Sequence, residues 1–371
     1  MKGLVFSVLL VGGMVVHAQS GNAPAGSKSG AETVRLNSKV PAEGAGQGNP
    51  SKNPLDTPEA RKLAEAVLKK IEPGTVWKDE NGRPIQAHGG GILRQGVYWY
   101  WFGEDRTQGL DKNKRYVSCY RSKDLTHWEV KNRPLELSEP EEYRKQFGEN
   151  WQAERPKVFK VGPRKFVMYI HLDAAYKAAE VGVAVSENIE GPYRLVKHFR
   201  PLGKESRDIG QFIDDDGRNY LIFESRPTGG FYIAQLNDDG MDVTETAFIH
   251  APLEGGAIVN YEGLYYVLGS HMTGWKPNPN VYATAKSLKG PWSEFKDIAP
   301  PEANTYGTQS SMLIKVKGSL KTTVIYVGDQ WKPEALWDSR YVWMPLEIGE
   351  GKMRLPQPKP WTIDIRTGEV H

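Results

Sequence analysis

Residues 254–270 read EGGAIVNYEGLYYVLGS: a carboxylate, a run of small and β-branched residues, a Glu-Gly turn, then an aromatic run closing on Gly-Ser. Two short runs of this composition around a glycine turn read as a β-hairpin. The same packet occurs at 89–104 (GGGILRQGVYWYWFGE), 155–173 (RPKVFKVGPRKFVMYIHLD), 209–225 (IGQFIDDDGRNYLIFES) and 310–329 (SSMLIKVKGSLKTTVIYVGD). A third strand and its exit recur at 116–129 (YVSCYRSKDLTHWE), 182–194 (GVAVSENIEGPYR) and 281–294 (VYATAKSLKGPWSE). Five packets at a spacing of roughly fifty residues match four-stranded blades set around a central axis. The expected fold is therefore all-β, a five-bladed β-propeller. A double sandwich can be built from such strands, but it gives no reason for five copies of one hairpin.

Working outward, the first residues, MKGLVFSVLLVGGMVVHAQS, place one Lys before an apolar run that ends in small residues. That pattern predicts an export signal over residues 1–18, cleaved after Ala18. The run contains two glycines and is shorter than the roughly 20 residues of a spanning helix, so no membrane anchor is expected. Residues 19–56 are Gly, Ser, Ala, Asn and Pro with almost no large apolar side chain, which predicts a disordered tether. Asp56 or Thr57 can cap a short N-terminal helix, with Pro58 in its first turn and Leu63, Val67, Leu68 and Ile71 near one face. Pro73-Gly74 ends it. Residues 57–371 then form the expected propeller domain.

Cys119 is the sole cysteine, which excludes an intramolecular disulfide. The formal net charge is +3, with basic residues dispersed among acidic ones, so no nucleic-acid-binding stripe is present. The 11 Trp and 17 Tyr suit a protein that stacks sugar rings on flat apolar faces, although aromatic residues also fill propeller cores.

In a propeller the first strand of each blade lines the central channel, so equivalent polar residues converge at its mouth. At or just before the five inner strands stand His88, Glu154, Asp208, Glu254 and Gln309. Each carboxylate alone could be an ordinary ion pair with Arg155, Lys157 or Arg207. Five polar residues at one level of a repeat point instead to a site. Three carboxylates from separate blades could supply the proton donor and the second carboxylate that glycosidic hydrolysis requires.

The segments AHGGGIL, ERPKV, SRDIGQFIDDDG, LEGGAIV followed by GLYYVLGSHMTGW, TQSSMLIKV, GDQW and SRYVWMPL resemble the blade motifs of glycoside hydrolase family 43, most closely its exo-β-1,3-galactanase branch. The resemblance runs from about Ile85 to Leu346. It implies an inverting glycoside hydrolase that releases galactose from β-1,3-galactan, with Glu254 as general acid and Asp208 tuning and orienting that acid. The family's first-blade base Asp has no counterpart here, where His88 and glycines stand. In the galactanase branch a fifth-blade Gln, matched by Gln309, holds the attacking water. An amide oxygen is a very poor base, so Gln309 is expected to orient water first, with His88 the rival base. The resemblance also assigns sugar contacts to Glu154 and, in addition, to Glu104 and Tyr176. Thr273, Trp275 and Asn278 lie on a fourth-blade loop expected to face the funnel.

Some family members hold a central cation beside a fifth-blade His. That His is missing, so neither metal nor cofactor is expected in the mechanism. DDDG at 214–217 lacks the spacing of a calcium loop and reads as a hairpin turn. The branch commonly has Glu-Ala-Pro at the acid, whereas this chain has Glu254-Gly255-Gly256. The expected partner is a polysaccharide or oligosaccharide met by a secreted or periplasmic monomer. The alternatives are a β-galactosidase, α-L-arabinofuranosidase or β-xylosidase activity, or a non-catalytic carbohydrate-binding propeller.

Overall fold

The computed structural model describes residues 68–148 and 150–371. The expected export signal, the tether and all but the last four residues of the expected N-terminal helix lie outside the described residues. Those last four are not helical: Ile71 is in an isolated antiparallel bridge to Trp361 instead.

Four of the five packets fold into four-stranded antiparallel blades. Blade one holds β1 (His88–Gln95), β2 (Tyr98–Glu104), β3 (Lys114–Ser122) and β4 (Glu129–Ser138). A short helix, α1 (Glu141–Phe147), leads to blade two: β5 (Trp151–Gly162), β6 (Lys165–Ala174), β7 (Glu180–Ser186) and β8 (Arg194–Phe199). Blade three is β9 (Gly210–Ile213), β10 (Asn219–Ser225), β11 (Gly230–Leu236) and β12 (Val243–Ile249). Blade four is β13 (Leu253–Tyr261), β14 (Leu264–His271), β15 (Asn280–Ala285) and the two-residue β16 (Lys296–Asp297). Blade five departs from the expected four strands. Its sheet has three: β17 (Gln309–Lys317), β18 (Thr322–Gln330) and β19 (Arg340–Pro345).

The inner strands β1, β5, β9, β13 and β17 touch in turn, and β17 returns to β1, so the ring closes. Alternation along each strand buries one set of side chains against the neighbouring blade, which is why the core lies between blades. Trp101 of blade one and Trp343 of blade five meet with ring centroids 4.8 Å apart, and Trp77 joins them. Beside this cluster, backbone hydrogen bonds of 2.8 and 3.1 Å between Ile71 and Trp361 tie the described ends of the chain together.

Four inner strands carry a register irregularity near their first residues, at His88/Gly91, Glu154/Lys157, Glu254/Ala257 and Ser310/Met312. A bulge turns one residue out of the ladder and re-aims its neighbours, a device common at barrel rims and active sites. The residues after His88, Glu154 and Glu254 all have positive φ: Gly89 at 56°, Arg155 at 51° and Gly255 at 64°. Glycine meets this conformation freely, whereas Arg155 adopts it under restraint from the groups that bind it. The DDDG segment forms the β9–β10 turn, with Gly217 N donating to Asp214 O.

Candidate active site

The bulged strand ends surround a cavity of about 240 Å³ on the propeller axis. Glu104, Glu154, Tyr176, Asp208, Glu254, Trp275 and Gln309 line it, together with Arg155, Arg226 and Trp331.

Glu254 is 5% exposed, the second residue of β13. Burial first, then the charges of Asp208 and Glu224, push its pKa up to about 9. A carboxyl in that state is protonated at neutral pH and can give up its proton to a basic oxygen. One of its oxygens, Oε1, accepts from Gln309 Nε2 at 3.1 Å. The other, Oε2, faces the half-exposed guanidinium of Arg226 at 3.7 Å.

Gln309 sits between the two carboxyl groups. Its Nε2 lies 3.4 Å from Asp208 Oδ2 and 3.2 Å from Ser270 Oγ. Its Oε1 accepts from Trp331 Nε1 at 3.0 Å and from Arg155 Nη2. Arg155 also binds Asp208 Oδ2 at 3.0 Å and donates to Ser310 O at 3.1 Å, while its own backbone N–H donates to Glu104 Oε1 at 3.0 Å. One buried arginine therefore holds residues of blades one, three and five.

Glu154 is held on its other side. Burial favours its neutral form, but His171 and Arg106 outweigh that and lower its pKa, so it is a carboxylate. His171 Nδ1 lies 3.4 Å from Glu154 Oε2, and His171 Nε2 lies 3.3 Å from Asp173 Oδ2. Burial opposes charge on His171, yet these two carboxylates push its pKa up to about 10. Glu154, His171 and Asp208 could offer a metal three atoms within 4.8 Å of one another. His171 and Arg155 already pair with Glu154 and Asp208, which holds these side chains together as an ion-pair network.

His88, Thr273 and Asn278 do not line this cavity, although Asn278 lines an adjoining crevice with Trp275, Gln309 and Trp331. His88 is completely buried and does not line the cavity. Its Nδ1 faces Asp329 at 3.3 Å, and its ring stacks on Tyr341 at 4.9 Å. Thr273 and Asn278 spend their polar atoms inside their own loop: Asn278 Nδ2 donates to His271 O at 2.7 Å and to Thr273 Oγ1 at 2.8 Å. They shape the turn that presents Trp275, which is 46% exposed and edge-on to Trp331 at 5.7 Å.

Arg155, Arg106, Trp331 and Glu224 were not foreseen as site residues. Glu224 on β10 is 1% exposed, neither of its carboxyl oxygens has a hydrogen-bond partner, and burial followed by the Asp208 charge pushes its pKa up to about 8. It adds a second neutral carboxyl behind the funnel wall.

Known proteins share this fold. An exo-β-1,3-galactanase from Phanerochaete chrysosporium, solved with β-1,3-galactotriose, is 37% identical with a TM-score of 0.73, covering 81% of this chain and 70% of that one. An exo-β-1,3-galactanase from Clostridium thermocellum is 33% identical with a TM-score of 0.72, covering 81% of this chain and 68% of that one. The extracellular endo-α-(1→5)-L-arabinanase of Thermotoga petrophila is 24% identical over 256 residues, 58% of this chain, and the chain spans about half, 49%, of its length. The family model of the glycosyl hydrolases family 43 matches residues 91–326. Since that match takes in more than half of the chain and reaches all five blades, this protein belongs to glycosyl hydrolases family 43.

Proposed function

We propose that this enzyme removes galactose from the end of β-1,3-linked galactan with inversion of the anomeric centre. The observation that carries the reading is Glu254, buried near the start of β13, linked through Gln309 to Asp208 and opening into the funnel. Glu254 acts as general acid: its proton passes to the glycosidic oxygen as the C–O bond breaks. Asp208, held by Arg155, keeps the acid neutral until that moment.

Gln309 orients the attacking water. Its Oε1 already takes two donors, Trp331 and Arg155, which leaves little basicity for abstracting a proton. Its Nε2 bridges Glu254 and Asp208 in the free enzyme, and an incoming sugar replaces the Glu254 bond. The buried His88, shielded by Asp329 and Tyr341, is poorly placed to serve as base. Glu154 accepts hydrogen bonds from ring hydroxyls, and Trp275 offers an aromatic face to the sugar's CH groups.

The galactanases of similar structure favour galactose among the sugars of this family. Export, expected from residues 1–18, suits an enzyme whose polymer substrate lies outside the cytoplasm. The test is incubation with debranched β-1,3-galactan, arabinan and xylan. Free galactose from the first alone supports the reading, and release of arabinose or xylose without galactose refutes it.

A further inference from the structure

Lys157 leaves β5 beneath Arg155 and runs across the propeller axis. Its side chain is fully buried. Nζ donates to the carbonyl oxygens of Gly89 at 2.7 Å and Gly90 at 2.6 Å on β1, and lies 3.4 Å from the carbonyl oxygen of Ser311 on β17. All three ammonium hydrogens thus meet backbone carbonyls, and those carbonyls belong to two other blades. The glycines of β1 make the room: a Cβ on Gly91 would come within 3.0 Å of Lys157 Cδ and 3.2 Å of Pro156 O.

Carbonyl oxygens converging on one buried point are the donor set of a hard cation. Left empty, the point would deprive the carbonyls of Gly89 and Ser311 of this donor and leave Gly90 O with Ser311 Oγ at 3.1 Å, a loss that buried acceptors resist. We propose that the carbonyls of Gly89, Gly90 and Ser311 form an axial cation site, which this chain fills with its own Lys157 ammonium, and that this internal cation keeps the catalytic floor in register. Burial and the neighbouring Arg155 push the Lys157 pKa down to about 7, while Asp329, Glu104 and Asp208 favour the charged form.

The link to the site is short. Arg155 holds Ser310 O and Lys157 faces Ser311 O, so two cations from β5 grip consecutive carbonyls of β17. That strand begins at Gln309. On the other side Lys157 fixes the β1 bulge, where Gly89 N donates to Asp329 Oδ2 at 3.2 Å. Lys157 is therefore a positioning residue, remote from the sugar. This second half of the proposal rests on the roles given to Glu254 and Gln309, whereas the cation site does not.

The test is chemical rescue of Lys157→Ala in the full chain, folded in ammonium, potassium, methylammonium or tetramethylammonium chloride at equal ionic strength. Melting temperature and kcat on β-1,3-galactobiose are both read. The expected result is a lower melting temperature and a kcat reduced by roughly 10²-fold, the scale of a 1 Å misplacement, with both recovering in the three small cations and in neither measure with tetramethylammonium. Lys157→Met, which fills the space with an apolar chain, should recover in none. Wild-type behaviour of Lys157→Ala, or equal recovery in all four salts, overturns the cation site. Where wild type is active on β-1,3-galactobiose, recovery of melting temperature without kcat overturns the positioning role alone, whereas the melting temperature tests the cation site whatever the substrate. Should Lys157→Ala fail to fold without salt, refolding yield in each salt replaces melting temperature, with equal yields counting against the site.

Discussion

Replacing Asp208 with Asn removes one negative charge beside the acid while keeping the side chain's shape. Asp208 Oδ2 and Glu254 Oε1 lie 3.4 and 3.1 Å from the same Gln309 Nε2, so the two oxygens are no more than about 6.5 Å apart. At an effective dielectric constant near 20, two unit charges within that distance interact by at least about 2.5 kcal/mol, or about two pKa units. Arg155, 3.0 Å from Asp208, cancels part of this in the native enzyme, so a net change of about one to two units is expected. The sign is fixed twice over: losing Asp208 removes a repelling anion and frees Arg155 to stabilise ionised Glu254. Both lower the Glu254 pKa from about 9. The residual kcat/KM of Asp208→Asn on β-1,3-galactobiose, profiled against pH, should therefore lose its alkaline limb about one to two units earlier than wild type. An alkaline limb that stays in place would refute the electrostatic coupling of these two carboxyl groups.

Glu254→Gln keeps the shape of the acid without its proton and should lose roughly 10²–10⁴-fold in kcat while still binding galactose by calorimetry; retention of more than about a hundredth of activity removes Glu254 from the acid role. Glu224 holds its proton more tightly folded than unfolded, so its contribution to stability is complete at low pH and fades as pH rises towards its folded value of about 8. Glu224→Gln cannot ionise, so its melting temperature relative to wild type should climb as pH rises from about 5 to 9, and a constant difference would contradict the burial argument. Gly103 packs on the Ala87 backbone where a Cβ would overlap, so Gly103→Ala should lose at least about 1–3 kcal/mol in denaturant unfolding, and an unchanged midpoint would show that the strand can shift.

The fold was legible because its signal is a repeat: one hairpin with glycine turns, five times over, leaves few ways to bury its aromatic strands. The funnel was legible for the same reason, since equivalent strand starts must meet at the axis. What the sequence hid was the backbone at those starts. Gly89 and Gly255 follow His88 and Glu254, and the third equivalent position, after Glu154, is Arg155 at φ 51°. Aligning the packets on that position would have flagged a non-glycine in a left-handed slot. Its side-chain reach to Asp208 and Gln309 follows only from three-dimensional closure. Lys157 reads as a routine basic residue beside carboxylates, and only its complete burial reveals the carbonyl cage. The local partners of His88, Thr273 and Asn278 were hidden too: Asp329 and the 271–278 loop engage their polar atoms, and a pattern of residue types carries no record of such partners.

The central claim is that water held by Gln309 attacks the face opposite the bond that Glu254 protonates. Proton NMR of the first product formed from β-1,3-galactan reads this directly, before mutarotation equilibrates the anomers. Attack from the opposite face inverts the centre, so α-galactose should appear first and β-galactose grow in later. Nascent β-galactose would contradict the account, because it requires a covalent intermediate on a second carboxylate and leaves Gln309 without its water.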